Sequence, residues 1–519
     1  MGNSSKDTVT SIDMRKLELN SEALGVSAFT LMENAGRSVV DEVERRFKGD
    51  VTILTGSGGK AGDGYVAARH FAARGHSVLL KWVHDPADNS NAAARLHWDG
   101  VKRLNTIRIE KYQDEPSIDT EIVIDALLGT GFRPPLHEPY KSVISKVNSL
   151  TGSRVVSIDL PSGLDPDSPE LADTYVKADL VVALHRKKRC LLSLSGTEVV
   201  VASIGIPPEA HIFAGPGDVL VSLPKRSQLM KKGDAGKLTV VAGSSEYVGA
   251  AILSVMGGFR SGVDLVYLIA PQMVVDSARN MIPELISIPY EGDALNEAAV
   301  EKFKKILPKT KAVAIGPGLG FYQESSDAFS AILGESIKHR IPGVIDADGL
   351  RYLSQREIDL GHGFVLTPHA GEFSYFGEKP ADDLGKRIEQ VAALARKMKS
   401  TIHLKGNCDV VSDGTLTRLS MSGHPAMAVA GTGDVLTGLV GGFISKGVQP
   451  FTAALCGVYA LGLAGHLAFK EKGERLIARD IVEYIPKALL EPVKIAHDYV
   501  DRRLPDEIVS NMRLARLLW

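Results

Sequence analysis

The sequence predicts two α/β domains in tandem, and three observations carry that prediction. Short Val/Ile-rich runs alternate with longer Ala-rich helical patterns, as in parallel-sheet folds. Almost every apolar run ends in a loop containing Gly or Asp. The pattern also breaks and restarts. Between residues 206 and 237 the chain reads Ile206-Pro207-Pro208, Gly215-Pro216-Gly217 and Lys231-Lys232-Gly233-Asp234, with no sustained period, which marks a domain boundary.

In the first half the predicted strands cover residues 51–54, 77–82, 121–124, 154–158 and 180–184. In the second they cover 237–242, 263–269, 312–315, 343–345, 363–366 and 401–405. The pattern ends near Ile485, and 490–519 reads as a helical tail without an assigned role. Ligands of open α/β sheets bind beyond the carboxyl ends of the strands, so the strand-end loops are where chemistry is expected.

Composition narrows the class. The chain has 519 residues, 44% of them hydrophobic, and a net charge of −2. Disorder and nucleic-acid binding both call for a more lopsided chain, which leaves an enzyme-like globular class. Glycine is plentiful, with 51 residues, many following β-branched runs where a backbone approaches a ligand. Cys190, Cys408 and Cys456 have no zinc-ligand or redox spacing and read as reduced core residues in a cytoplasmic protein. The first thirty residues lack a signal-peptide core. No apolar run reaches the roughly 20 residues that span a bilayer, so neither membrane nor nucleic acid is expected as a partner.

The second half carries Gly431-Thr432-Gly433-Asp434 before a helically spaced run. A glycine-rich loop opening a helix aims backbone N–H groups and the positive end of the helix dipole at an anion. A carboxylate there is also an ordinary N-cap. Other strand ends bear Gly316-Pro317-Gly318-Leu319-Gly320, Asp346-Ala347-Asp348-Gly349, Thr367-Pro368-His369-Ala370-Gly371-Glu372 and Lys405-Gly406. Each alone is an ordinary turn, and His369 alone is an ordinary structural histidine. Together they imply one crevice, where an anion-holding helix terminus beside a base suits activation of a hydroxyl.

In the first half, Gly56-Ser57-Gly58-Gly59-Lys60-Ala61-Gly62-Asp63-Gly64 precedes a helix expected over 65–74. It lacks the Gly-Lys-Ser/Thr ending of a P-loop, and a dinucleotide-binding reading stays open, with Ala61 at the third glycine position. Asp125-Ala126-Leu127-Leu128-Gly129-Thr130-Gly131 and Asp159-Leu160-Pro161-Ser162-Gly163-Leu164-Asp165 follow two further strands. Aspartates at neighbouring strand ends suit cation or hydroxyl binding and proton transfer, and equally cap a turn.

Residues 225–487 resemble the ADP-dependent NAD(P)HX dehydratases, a ribokinase-like αβα fold. Their carrying motifs are Lys232-Gly233-Asp234-Ala235-Gly236-Lys237, Gly243-Ser244 with Tyr247, Gly249-Ala250-Ala251, the strand-end turns and residues 431–434. Residues 8–212 resemble the NAD(P)HX epimerases, a Rossmann-like three-layer αβα fold, through the three loops above and Leu31-Met32-Glu33-Asn34-Ala35-Gly36. The resemblance implies domains over 1–215 and 225–487, with a tail over 488–519. It implies metabolite repair: epimerisation of R- and S-NAD(P)HX, then dehydration of the S form at the expense of ADP, giving NAD(P)H, AMP and phosphate. NADHX or NADPHX and ADP are the expected partners, and a homo-oligomer is expected.

By motif, Asp434 looks like the base that activates the substrate hydroxyl, and Gly431, Thr432 and Gly433 like the phosphate-side anion hole. Lys405, Gly406, Asn407, Cys408 and Asp409 would contact the nucleotide. Ala250, Gly318 and His369 would contact the hydrated dinucleotide, and Glu372 would act on the Mg2+ side. In the epimerase half, Gly59, Lys60, Ala61, Gly62, Asp63, Gly129, Thr130, Gly131, Phe132, Arg133, Pro134 and Pro135 look like substrate loops. Asp159 looks like the acid/base and a substrate contact. Asp125 and Ser162 look like K+ ligands, and Lys188 matches a lysine after the last strand.

This chain departs from that pattern at one point. The epimerases usually read Asn-Asn-Gly-Gly-Asp-Gly in the first loop, and Lys60 stands where the second asparagine would bind K+. A charged lysine has no lone pair for a metal. Either its ammonium takes the cation position beside Asp125, or it points to solvent. The rival reading of the whole chain is a small-molecule kinase of the ribokinase group with a non-catalytic N-terminal binding domain.

Overall fold

The chain divides between Pro207 and Pro208 into two compact units. The structure is a computed structural model, and it describes residues 8–113, 118–499 and 506. Residues 208–215, expected in the first domain, pack with the second unit. There Phe213 bridges Leu419, and Arg418 donates to Asp218 at 2.6 Å and to the Phe213 carbonyl.

Among the described residues the first unit carries a seven-stranded parallel sheet in the order β3-β2-β1-β4-β5-β6-β7. Its strands are β1 Val51–Thr55, β2 Val78–Trp82, β3 Ile107–Lys111, β4 Ile122–Ala126, β5 Arg154–Ile158, β6 Leu180–Leu184 and β7 Glu198–Ala202. β1, β4 and β6 are buried at every position, because helices cover both faces of a parallel sheet. The chain steps outward from β1 through β2 to β3, then returns to β4 on the other side. The β1/β4 gap is thus the switch point where α/β sheets open a ligand crevice. The Gly56–Gly64 turn leaves β1 and Asp125 lies in β4, so both borders of the crevice carry singled-out residues.

The second unit carries a nine-stranded mixed sheet in the order β10-β9-β8-β11-β12-β13-β14-β15-β16. Its strands are β8 Lys237–Val241, β9 Leu265–Pro271, β10 Ile286–Tyr290, β11 Ala312–Ile315, β12 Gly343–Ile345, β13 Phe364–Leu366, β14 Thr401–Leu404, β15 Asp409–Ser412 and β16 Thr417–Ser420. The last two run antiparallel. The switch recurs here between β8 and β11. The helices Val248–Arg260 and Thr432–Ser445 pack nearly backbone to backbone. A β-carbon at Gly438 would sit 1.8 Å from the Ser254 carbonyl oxygen, and one at Gly257 2.2 Å from that of Val435. Those glycines seat the 432–445 helix over the strand ends.

Five strands were not predicted: β3, β7, β10, β15 and β16. All lie at sheet edges or in the antiparallel extension. β3 reads Ile-Arg-Ile-Glu-Lys and β10 carries Pro289, the composition of half-exposed edges rather than of buried runs. One apolar run is longer than expected. The helix Pro450–Lys472 lies in a segment of mean hydropathy 1.5, long enough to cross a bilayer, but 83% of that window is buried inside the unit. It is a core helix. The expected tail is partly helical: Ala478–Leu490 runs into it, and Pro492–Tyr499 packs against the 450–472 helix. The rest of the tail except Asp506 lies outside the described residues.

Candidate functional site

In the second unit the carboxyl ends of β12, β13 and β14 converge on the 432–445 helix. Gly431 takes φ +93°, a left-handed conformation open to glycine, and the helix starts at Thr432. Thr432, Gly433 and Asp434 therefore form its first turn rather than a loop. The free N–H groups of such a turn and the helix dipole make an anion site. The approach is kept open by Gly433, where a β-carbon would lie 3.3 Å from Lys405 Nζ and 3.7 Å from Asp346 Oδ2.

Lys405, at the end of β14, donates to Asp346 Oδ1 at 3.0 Å and lies 3.7 Å from Glu372 Oε2. Thr437 donates to Asp346 Oδ2 at 2.7 Å. Burial pulls the Lys405 ammonium down, but Asp346 and Glu372 outweigh it, so its pKa is raised and the charge is held. Burial raises Glu372, against the attraction of Lys405. Asp434 is pushed up to about 7, first by burial and then by Asp346, with Lys405 opposing. A base poised near neutrality beside a cation and a helix N-terminus is equipped to take a proton from a hydroxyl as an anion attacks or is attacked nearby.

His369 caps the short helix Ala370–Phe373. Its Nδ1 accepts from the Gly371 and Glu372 amides at 2.9 and 3.3 Å, and Glu372 Oε2 accepts from the His369 amide at 2.7 Å. An accepting Nδ1 leaves the proton on Nε2, and the side chain is exposed, so His369 serves the cap and still offers a donor. Gly318 and Ala250 come together: at φ +63°, a β-carbon on Gly318 would lie 2.9 Å from that of Ala250 and 2.7 Å from that of Tyr247. Gly406, Asn407 and Cys408 lie in the β14–β15 turn, and Asp409 opens β15. Asp409 Oδ1 accepts from the Gly406 amide at 2.9 Å and Asn407 Oδ1 from the Cys408 amide at 2.9 Å, while Cys408 is buried.

In the first unit Gly58 takes φ +92° and the helix starts at Gly59, earlier than expected, running to Ala73. Gly59, Lys60 and Asp63 line a cavity of about 120 Å³ with Glu18, Gly129, Thr130, Asp159 and Lys188. Ala61 is fully buried in packing, and Gly62 abuts Met32 and Ala94. Gly131, Phe132, Arg133, Pro134 and Pro135 lie outside that lining, and Arg133 pairs with Asp167 at 2.9 Å.

Asp159 leaves β5 at φ +63°, an uncommon conformation for a side chain-bearing residue. Its Oδ1 accepts from the Leu184 amide at 3.0 Å and from the buried Lys188 ammonium, which follows β6 rather than the last strand of the unit. Asp63 is raised well above the carboxylate range by burial and then by Asp159 and Glu18. Burial likewise raises Glu18, against Arg15. The cavity thus sets the Asp159–Lys188 contact beside two carboxyls whose pKa burial raises.

Lys60 does not reach solvent. Its side chain is 2% exposed, and Nζ donates to Asp125 Oδ2 at 2.9 Å, the Leu160 carbonyl at 2.7 Å and Ser162 Oγ at 2.9 Å. Burial lowers its pKa and Asp125 opposes that. Asp125 also accepts from Ser157 Oγ at 2.8 Å, the Ser162 amide at 2.9 Å, Ser162 Oγ at 2.5 Å and the Leu127 amide at 3.2 Å.

Asp346 and Thr437 were given no role from sequence, although Asp346-Ala347-Asp348-Gly349 stood out as a strand end. Glu18 sits within the ordinary helix Ser11–Ala23, and nothing in its sequence neighbourhood separates it from a surface glutamate.

The comparisons agree with both halves. The family model described as NAD(P)H-hydrate dehydratase matches residues 238–487, and that described as YjeF-related protein N-terminus matches residues 28–190. The chain is 39% identical over 504 residues to a bifunctional NAD(P)H-hydrate repair enzyme of Hyperthermus butylicus, covering 94% of this chain and 93% of that one. It is 39% identical over 498 residues to its counterpart in Pyrobaculum aerophilum, covering 93% and 98%. An ADP/ATP-dependent NAD(P)H-hydrate dehydratase from Bacillus subtilis, co-crystallised with ATP and Mg2+, is 26% identical with a TM-score of 0.47, over 54% of this chain and 98% of that one. Two units matched in order, with relatives aligned over nearly the full length, place the chain plainly: it belongs to the bifunctional NAD(P)H-hydrate repair enzymes.

Proposed function

We propose that the first unit epimerises NAD(P)HX at the Asp159 cavity and that the second dehydrates the S form at Asp434, with ADP as phosphoryl donor. The observation that carries the dehydratase reading is Asp434 itself, held near a pKa of about 7 in the first turn of an anion-binding helix. In that reading the substrate hydroxyl attacks the terminal phosphorus of ADP as Asp434 takes its proton, and AMP leaves. The phosphate ester then breaks at its carbon–oxygen bond. Phosphate carries off the electron pair, the ring loses a proton, and NAD(P)H forms. Phosphate is a far better leaving group than hydroxide, which explains a kinase-like site in a dehydratase. Lys405 and the Gly433 and Asp434 amides hold the phosphoryl oxygens, while Gly318, Ala250 and His369 hold the dinucleotide.

Mg2+ is usually bound by one or two carboxylates plus waters and phosphates, and Asp346 and Glu372 beside Lys405 fit that donor set. When bound it would offset phosphate charge. With two carboxylates at hand, the nucleotide's phosphates and water would supply the remaining oxygens. K+ does not fit the first unit, because the Lys60 ammonium lies among the oxygens that would bind it.

Epimerisation needs a proton delivered to the departing hydroxyl and taken from the water that returns on the other face. Asp159, paired with Lys188, and Asp63, whose hold on its proton burial strengthens, supply those roles. The test is incubation of the full chain with a mixture of R and S hydrates and ADP. Complete recovery of NADH absorbance with equimolar phosphate supports both reactions. Recovery of the S fraction alone removes the epimerase assignment, and no recovery removes the dehydratase.

A further inference from the structure

The buried Lys60 ammonium is the feature that the two reactions leave unused. It comes from the first turn of a helix, yet its stem runs inward. Gly129 makes room for it: a β-carbon there would sit 3.1 Å from Lys60 Cβ and 3.8 Å from Cδ. At the end of that stem the ammonium has three N–H donors and three oxygen acceptors, from Asp125, Leu160 and Ser162. All three donors are used. Those oxygens come from β4 and from the loop after β5, two segments that the ammonium ties together beside the direct bonds from Ser162 to Asp125.

We propose that Lys60 is a tethered monovalent cation, filling the oxygen cage of Asp125, Leu160 and Ser162 in place of a free metal ion. The physical grounds are charge and size. An ammonium carries the same charge as K+ and has nearly the same radius. The Asp125 carboxylate and the Leu160 carbonyl both turn acceptors to one buried point, and without a cation there the carboxylate charge would be left uncompensated. Tethering also removes the entropic cost of capturing a free ion and makes occupancy independent of salt.

Lys60 is then a positioning residue. It holds the Leu160 carbonyl, next in sequence to Asp159, against β4, and so fixes the turn from which the Asp159 carboxylate reaches the cavity. The proposal rests on the epimerase reading for its activity arm alone, since the cage is defined by geometry.

The experiment compares the full-length native chain with Lys60→Asn, each in KCl and in choline chloride at equal ionic strength. Thermal melting and epimerisation are both followed. An ion that binds only the native state raises the melting temperature as its concentration rises. The native chain is expected to melt at the same temperature and epimerise at the same rate in both salts. K60N, whose shorter side chain vacates the ammonium position and can turn an amide oxygen toward it, is expected to melt lower in choline. KCl or ammonium chloride should raise its melting point saturably and restore the lost epimerisation. A native chain whose melting point or rate depends on K+ overturns the proposal, and so does a K60N variant indifferent to K+. If K60N does not fold, the native-chain arm decides alone. If neither protein epimerises while the melting arm behaves as expected, the epimerase reading fails and the tethered cation stands.

Discussion

Replacing Asp434 by Asn should stabilise the second unit while ending dehydration. In the native state this carboxyl has a pKa of about 7, against 3.8 when unperturbed, because burial and Asp346 both disfavour its charge. A folded-state pKa above the unfolded one means that the native state holds the proton more tightly. The ionised carboxylate therefore costs stability as pH rises from about 4 to about 7, and the cost is complete above that. At 1.36 kcal/mol per unit, the three-unit difference sets an upper bound of about 4 kcal/mol. The helix N-terminus favours the charged form and residual solvent at this half-buried position lessens the penalty, which brings the expected gain nearer to ~2 kcal/mol. Asn at 434 is neutral throughout. The difference between variant and native chain, read from denaturant titrations, should be near zero at pH 4 and rise to its plateau by pH 8. Dehydration should fall by about 10²–10⁴-fold, the usual contribution of a general base. A stability difference flat between pH 4 and 8, or a variant less stable at pH 8, would refute the electrostatic account of this site.

Three further substitutions test other parts. Asp125→Asn strands the Lys60 ammonium without its carboxylate and should cost about 3–5 kcal/mol in the first-unit unfolding transition, against little change in the second. Lys405→Met removes the cation that holds Asp434 down, so the rising limb of the dehydratase rate should move to higher pH and the KM for ADP should increase; an unmoved pH profile counts against the coupling. Gly318→Ala places a β-carbon 2.7 Å from that of Tyr247 at φ +63°, which should cost about 1–2 kcal/mol for the backbone alone and raise the KM for the hydrated dinucleotide more than that for ADP.

Central strands were legible in the sequence because burial on both faces forces continuous apolar runs, as in Leu180–Leu184. Edge strands were not, because half-exposure admits Arg108, Glu110 and Pro289. Glycine-rich turns pointed to both sites, yet they hid how early the helices begin. Gly58 and Gly431 each take a left-handed turn and release the next residue directly into a helix. Within the Gly59-to-Asp63 motif, helical periodicity then decides which side chains face the cavity. Lys60 and Asp63 line it, while Ala61 and Gly62 pack inward.

The sequence by itself determined the two-domain α/β plan, the strand ends that carry chemistry and the family, since these depend on local runs and motif order. Tertiary structure decided which carboxylates share a field. Asp346 and Asp434 lie far apart in the chain but act on one another across a strand end and a helix terminus, and that proximity adds to burial, the larger cause, in raising Asp434 to about 7. It also decided the fate of Lys60. A lysine in a glycine-rich turn reads equally as solvent-facing or buried, and only the convergence of β4 and the β5 loop supplies the three oxygens that hold its charge inside.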